Sequence, residues 1–334
     1  MSDGITRVLS IDGGGIKGVL PAAFLAEAET ATGKRIVDHF DVIAGTSTGG
    51  IIAIGLGLGL SAREILDFYL NKGPAIFYQH PSPSSVWGRA RAVTRKWLRS
   101  ARHVVMPKYD PDRLRQALTE AFGARILGES QTRLVIPAYH ALRREVYVFK
   151  TAHNPRFQTD WKQRVVDIAL ATAAAPTYFP SHRMPNGAAL IDGGVWANNP
   201  VGIAAVETVG VLNRDRERIN ILSLGCTEET WSVPPRAGGK NLLLAAAGDL
   251  FLQGQCKGAI GAAKLLIGHT ESDPRLFRYS PTVARGMFDV DTVDMIEELR
   301  SLGSSSGREA LPLLNKVFLD KPKESFSPFH HSIN

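Results

Sequence analysis

Two cysteines in 334 residues, Cys226 and Cys256, exclude a disulfide-framed secreted scaffold and fit a reducing compartment. No run reaches the ~18 consecutive apolar residues that a spanning helix needs. The nearest, Ile51–Leu60, is short and interrupted by glycine. The opening residues Met1 to Arg7 show no basic stretch leading into an apolar one, so no secretory leader is expected. Cysteine and histidine nowhere fall at metal-ligand spacing, and neither a metal nor another cofactor is expected. The composition, 44% hydrophobic and 21% charged, suits one large α/β domain or two small ones, and the expected location is the cytoplasm.

Charge is unevenly placed. Nine Lys or Arg between Val86 and Arg115 face only Asp110 and Asp112, and this segment accounts for the whole formal net charge of +7. Trp87 and Trp97 lie within it. Basic residues interleaved with tryptophan suit an anionic surface, either lipid headgroups or nucleotide phosphates, with a solvated helix face as the plain alternative. Arg95, Lys96 and Arg99 are the candidate contacts to a membrane or to an activator.

Strand and helix patterns alternate up to residue 225. Arg7–Ile11 predicts a strand, and Val19–Thr32 a helix closed by Gly33. Phe40–Ala44 reads as a second buried strand, followed by an apolar helix over Gly50–Leu60. Ser61 and Glu64 fit a capping box opening a helix through Leu70. Gly73–Arg102, with Pro74, Pro81 and Pro83, departs from the pattern, and residues 73–108 are expected to be a basic insertion or lid. Asp110-Pro111 opens a helix to Phe122. Strands follow at Arg133–Ala138 and Val146–Lys150, then a helix at Val165–Ala173 that must stop before Pro176. Ala188–Ile191 is a further strand, Pro200 starts a helix, and Ile219–Leu224 is the last clear parallel strand.

Beyond Cys226, helices are expected at Asn241–Gly268, Thr292–Leu302 and Arg308–Phe318, so that residues 226–334 form a mostly helical part packed on the same domain. The Leu- and Ala-rich tract 242–266 reads as core, with a membrane-facing amphipathic helix as the alternative. Alternation of this kind predicts a mainly parallel sheet with helices on both faces.

Three glycine-flanked loops hold the candidate chemistry. Gly45-Thr-Ser-Thr-Gly49 places Ser47 on a tight strand-to-helix turn, which pushes its hydroxyl clear of the sheet as an acyl-transfer nucleophile requires. Asp12-Gly-Gly-Gly-Ile-Lys-Gly18 directly follows the first strand. Backbone N–H groups at such a turn converge on an anion, either an oxyanion or a nucleotide phosphate. Gly13, Gly15 and Gly18 also fit a dinucleotide fingerprint, but that reading wants an acid ending the second strand, and Asp38 and Asp41 both precede it. Asp192, followed by Gly193 and Gly194, ends a strand on the same sheet edge as the other two loops. Of the nine histidines only His269 is fairly placed to complete a serine triad, and it follows a long helix, so the residues point to a Ser47–Asp192 dyad.

These three loops, in this order, resemble the patatin-like phospholipase family, as do Ala171–Pro180 and Val195–Pro200 between and after them. The resemblance covers about residues 5–225. It implies a three-layer α/β/α fold and metal-independent lipid acyl hydrolysis, with Ser47 as nucleophile, Asp192 as base and Gly13, Gly14 and Gly15 as oxyanion donors. Leu224-Gly-Cys-Thr227 departs from the Gly-Thr-Gly of many relatives and is expected to reshape the pocket rim. The general layout also resembles the cyclic-nucleotide-activated patatins of anti-phage signalling. The expected partners are therefore membrane phospholipids, met peripherally, and a cyclic dinucleotide such as cGAMP, with no nucleic-acid polymer; self-association is left open. A catalytically silent patatin-fold storage or signalling protein and a dinucleotide-binding oxidoreductase are the alternatives.

Overall fold

The computed structural model describes residues 4–77, 107–230 and 247–330. The basic contacts Arg95, Lys96 and Arg99, with most of the expected insertion, lie outside the described residues. In chain order the strands are β1 (Thr6–Ile11), β2 (Val42–Gly45), β3 (Arg133–His140), β4 (Glu145–Lys150), β5 (His182–Arg183), β6 (Ala189–Asp192), β7 (Ile219–Leu224), β8 (Glu228–Thr230), β9 (Leu276–Tyr279) and β10 (Thr282–Ala284). The helices are α1 (Val19–Thr32), α2 (Thr48–Gly57), α3 (Ala62–Ile76), α4 (Pro111–Phe122), α5 (Val165–Thr172), α6 (Gly194–Ala197), α7 (Val201–Val206), α8 (Ala247–Leu266) and α9 (Ile296–Leu313).

Eight strands form one sheet, ordered β5-β6-β3-β2-β1-β7-β9, with β4 on the other edge of β3. β1, β2, β7, β9 and the start of β3 are parallel, while β4, β5 and β6 are antiparallel additions. Residues alternate across the pleat, so one strand feeds two cores. Leu9, Ile11, Ile43, Leu134 and Leu222 pack under α1, α2, α3 and α9. Val8, Val42, Val135, Ile219 and Ile221 pack against α7 and α8. All are buried, and each such side chain contributes about 1.5–3 kcal/mol by leaving water. This is the expected three-layer arrangement.

Four elements differ from the sequence reading, each for a local reason. α3 continues past Leu70 and through Pro74 to Ile76. Proline removes one hydrogen bond there, but the last turn still closes through Phe77 N–H to Gly73 O at 3.0 Å, and Gly73 and Ile76 are buried. Ile219–Leu224 is not the last parallel strand, because β9 adds to its outer edge in parallel register. The two helices expected over 292–318 are one, α9, prolonged by a π-turn over Leu314–Phe318. Gly303 and Gly307, in the gap between the two expected helices, lie one turn apart on the face against α1; a Cβ at either would meet the Leu20 or Phe24 carbonyl oxygen, at 2.3 and 2.8 Å. Finally, α8 lies on the surface, with only one side packed inward.

After α9 the chain runs across the far ends of the parallel strands. Arg7 pairs with Asp320, Lys323 N–H donates to Asp38 O at 2.8 Å, and Phe329 N–H to Ala152 O at 2.8 Å. The opposite sheet edge is left to the glycine-flanked loops.

Candidate active site

The tight turn at Ser47 is present, and it is strained. Its φ of 55° and ψ of −122° lie outside the regions a non-glycine residue ordinarily occupies. Three contacts hold it there. Ser47 N–H donates to Thr172 Oγ1 at 3.0 Å, and that hydroxyl donates onward to Pro137 O at 2.6 Å. Thr46 Oγ1 donates to Ala197 O at 2.6 Å. Tyr69 donates to the Thr48 carbonyl at 3.0 Å, fixing the first turn of α2. Gly49 is obligatory because β1 ends against it: a Cβ would sit 2.2 Å from Ile11 O. Gly18, Gly45 and Gly193 are equally hemmed in, by Thr48, Gly49 and Pro137, while Gly194 stands against Asp192.

Asp192 arrives by a route the sequence did not show. A carboxylate at the end of a parallel strand was expected, but β6 is antiparallel to β3. β2 pairs with Arg133–Val135 of β3, and β6 takes over the same edge at Ala138–His140. β6 therefore extends the line of β2 head-on, and its last residue meets the elbow that ends β2. The Asp192 carboxylate accepts a hydrogen bond from Gly194 N–H at 2.6 Å, and the Ser47 side chain faces it across the cavity floor. It is buried and has no cationic partner among the described residues. Burial pushes its carboxyl up to about 6, against the opposing pull of the Ser47 side chain and Gly194 N–H.

The glycine loop lies beside the pair. Gly13 packs on Ser47, where a Cβ would approach the serine Cβ to 3.2 Å. Its N–H, however, is donated to Asn198 O at 2.9 Å, which removes Gly13 from the expected set of three oxyanion donors. Among the described residues no partner takes the N–H of Gly14 or Gly15. Gly15 has a φ of 59°, and behind Gly14 a Cβ would meet Cys226 Sγ at 2.4 Å. Cys226, where the sequence departs from the Gly-Thr-Gly of many relatives, thus backs the glycine loop itself, and burial pushes its thiol up to about 12. Asp12 faces the other way. Its carboxylate takes a bidentate pair from Arg278 at 2.9 and 2.6 Å, and the same guanidinium reaches Ser223 Oγ at 2.9 Å.

Sequence reasoning missed three contributors. Thr172 and Asn198 lie inside stretches whose resemblance was noted without a role. Asn198 Nδ2 also donates to Gly13 O at 3.3 Å, so one residue holds both backbone polar groups of Gly13. Arg278 gave no signal, being a lone base on a strand that was not expected. His269 does not serve the serine: its Nδ1 accepts N–H bonds from Arg275 and Leu276, both at 3.0 Å, in a turn after α8.

Ser47 and Asp192 open on a cavity of about 460 Å³, within the usual range of small-molecule sites. The wall from α2, α3, α4 and the loop after α5 is apolar, with Ile51, Phe68, Ile76, Phe77, Leu114 and Phe179. Phe77, Tyr109 and Phe179 brace that wall, with ring centroids 5.5–6.4 Å apart. The wall from β8, β9 and α8 is polar, with Glu228, Glu229, Lys257 and Arg278, and Lys17 borders the glycine loop. A nucleophile set between an apolar slot and a polar wall suits an ester with a long acyl chain.

The profile of the Patatin-like phospholipase family matches residues 9–205. The chain is 36% identical over 221 residues to a cGAMP-activated phospholipase of Pseudomonas aeruginosa, covering 66% of this chain and 62% of that protein. It is 35% identical over 243 residues to a cGAMP-activated phospholipase of Vibrio cholerae, covering 69% and 66%. Identity to patatin-like protein 2 of Arabidopsis thaliana is 36% over 253 residues, covering 66% and 60%. The chain thus spans just under two thirds of the length of each. More than half of its residues fall within the family profile, among them the elbow, the glycine loop and Asp192, and the chain belongs to the patatin-like phospholipase family.

Proposed function

We propose that this chain is a serine lipid acyl hydrolase that cleaves fatty-acyl esters of membrane phospholipids through a Ser47–Asp192 dyad. The observation that carries the reading is a strained Ser47 facing, on one cavity, a buried carboxylate without a cation among the described residues. A carboxyl near 6 is largely ionised at neutral pH yet basic enough to take a proton. Ser47 Oγ attacks the ester carbonyl carbon and its proton passes to Asp192. The carbonyl oxygen, now an anion, is received by the free N–H groups of Gly14 and Gly15, with the partial positive charge of the following helical turns behind them. Collapse breaks the ester C–O bond, and Asp192 returns the proton to the departing lysolipid alcohol. Water, deprotonated by Asp192, then releases the fatty acid and restores Ser47. The acyl chain lies along the Ile51–Phe179 wall and the headgroup toward the polar one.

The names of the bacterial relatives support a cyclic dinucleotide as activator. An activator acts by binding the working state more tightly than the resting one. The test is release of fatty acid from phosphatidylethanolamine–phosphatidylglycerol vesicles and of alcohol from a soluble short-chain ester, with and without cGAMP. We expect hydrolysis of both by the wild type, stimulated by cGAMP, and none by Ser47→Ala. Hydrolysis that survives Ser47→Ala refutes the dyad, and a wild type inert on every ester leaves the silent-protein reading in its place.

A further inference from the structure

The glycine loop lies inside the stretch that the family profile matches, but two of its anchors come from beyond residue 205, where that profile ends. Asp12 leads into the loop, and Arg278 of β9 grips both of its carboxylate oxygens. Ile16 leads out of it, and its N–H donates to Val290 O at 2.8 Å, in the segment after β10. Gly15, bent to a φ of 59°, lies so close to that carbonyl that a Cβ would run into it. Between these anchors stand Gly14 and Gly15, whose N–H groups no described residue takes.

Each anchor is itself fixed. Arg278 commits the N–H groups of its terminal nitrogens within the protein, Nη1 to Asp12 and Ser223 and Nη2 to Asp12 and Cys256. It lines the cavity with none of these left for a substrate, so it acts through Asp12. Strand pairing sets where it stands, because Arg278 lies opposite Ser223 in the β7–β9 register. Val290 has Phe288 on one side, buried in the main core, and Asp291 on the other. The Asp291 carboxylate accepts from the Tyr109 hydroxyl at 2.7 Å and pairs with Lys108. Tyr109 in turn braces the apolar wall against Phe77 and Phe179. Contacts therefore run from the apolar slot through Asp291 and Val290 to the glycine loop.

We infer that Arg278 and Asp291 are positioning residues of the oxyanion hole: Arg278 through Asp12, and Asp291 through Val290, hold the N–H groups of Gly14 and Gly15 where the ester carbonyl oxygen becomes an anion. The inference rests on the hydrolase reading of the dyad. Three successive glycines fix their own backbone less than any other residues would, so the geometry of this loop is imposed from outside it. The demand is strict. A donor serves only at about 2.7–3.1 Å from the oxyanion, and a displacement of about 1 Å costs on the order of a hundredfold in rate. The rival is a pair of contacts that stabilise the fold and leave the chemistry alone, and a variant that keeps its stability separates the two.

The test follows hydrolysis of a soluble short-chain ester by the full chain in the presence of cGAMP. Asp12→Asn/Arg278→Gln strands no buried charge, yet it loses the two-point grip. Its kcat should fall about a hundredfold with KM within a few-fold of wild type, the split expected when an interaction made only in the transition state is lost. Asp291→Ala, a smaller change at the other end of the loop, should lower kcat about tenfold in the same way. Two ligands supply a second readout. In an alkyl trifluoromethyl ketone the carbonyl carbon bonds to Ser47 Oγ, its oxygen becomes an anion and the serine proton passes to Asp192. The matching alkyl ether has no carbonyl and only fills the cavity. The ketone should bind the double variant more weakly in proportion to kcat, and the ether as tightly as it binds wild type. A kcat within a few-fold of wild type in either variant, or equal weakening of both ligands, overturns the positioning role while the hydrolase reading stands. A wild type that hydrolyses no ester overturns the hydrolase reading and this inference with it.

Discussion

Asp12 and Asp192 make an instructive pair of loops. Each carboxylate follows or ends a strand, each is succeeded by glycines, and both are buried. Asp12 is met by a guanidinium that grips both its oxygens. Burial works against the Arg278 charge, but the Asp12 carboxylate outweighs it and raises that guanidinium above its ordinary range. Asp192 has a hydroxyl and a backbone N–H in place of a cation, and burial raises it to about 6. Burial raises both carboxyls, but at Asp12 the Arg278 guanidinium and its hydrogen bonds oppose that rise, whereas at Asp192 no cation does. The difference lies entirely in what stands opposite the carboxylate, which neither loop encodes.

The largest effect expected from this contrast is on turnover. Asp192→Ala removes the group that takes the Ser47 proton, and kcat should fall by about four orders of magnitude or more, as for other members of one catalytic unit. The folded state should persist, as read by circular dichroism. His269→Ala should leave kcat within a few-fold of wild type; the reverse pattern would install a triad and dissolve the comparison.

The next effect is on stability. Arg278→Gln strands the Asp12 carboxylate in the interior, and breaking a buried pair from one side costs about 3–5 kcal/mol. Adding Asp12→Asn should recover much of that loss in denaturant melts, because no buried charge then remains. A single variant as stable as wild type would show that Asp12 is not ionised, and so not different in kind from Asp192.

The smallest effect sharpens the titration. The native Asp192 carboxyl lies near 6, above its ordinary value of 3.8, so the folded state holds that proton more tightly than the unfolded one. Above about pH 6 the buried charge costs stability, on the order of 1–3 kcal/mol. Asp192→Asn should therefore raise the melting temperature at pH 8, and the gain should shrink as pH falls through 6 and vanish below about 4. Over the same range kcat/KM of the wild type should fall tenfold per pH unit below 6. A flat profile down to pH 5 would mean that Asp192 is an ordinary surface-like acid.

The elbow, the glycine loop and Asp192 were legible because each combines a rare local conformation or a bare backbone with a reactive side chain. Ser47 needs Gly49 beside it for the same reason that it can be spotted. Long-range geometry was not legible. The direction of β6 depends on which part of the β3 edge β2 leaves vacant, and that is a property of pairing rather than composition. The single helix α9 was not legible either, because α1, the partner against which Gly303 and Gly307 pack, lies almost three hundred residues away along the chain. Gly13 looked like a donor until Asn198 was found using its N–H. α8 reads as core by composition, since a Leu- and Ala-rich helix says how apolar it is but not which side meets protein.

The handover from β2 to β6 along β3 also sets an order of events. Pro137, which has no N–H to offer, sits between the β3 residues that pair with β2 and those that pair with β6. A growing chain that has laid β1, β2 and β3 together has its serine, but Thr172 and Ala197, which hold the turn, and Asp192 on β6 all come later. On the proposed reading, a growing chain therefore carries the nucleophile without its base until more than half of its residues have been made.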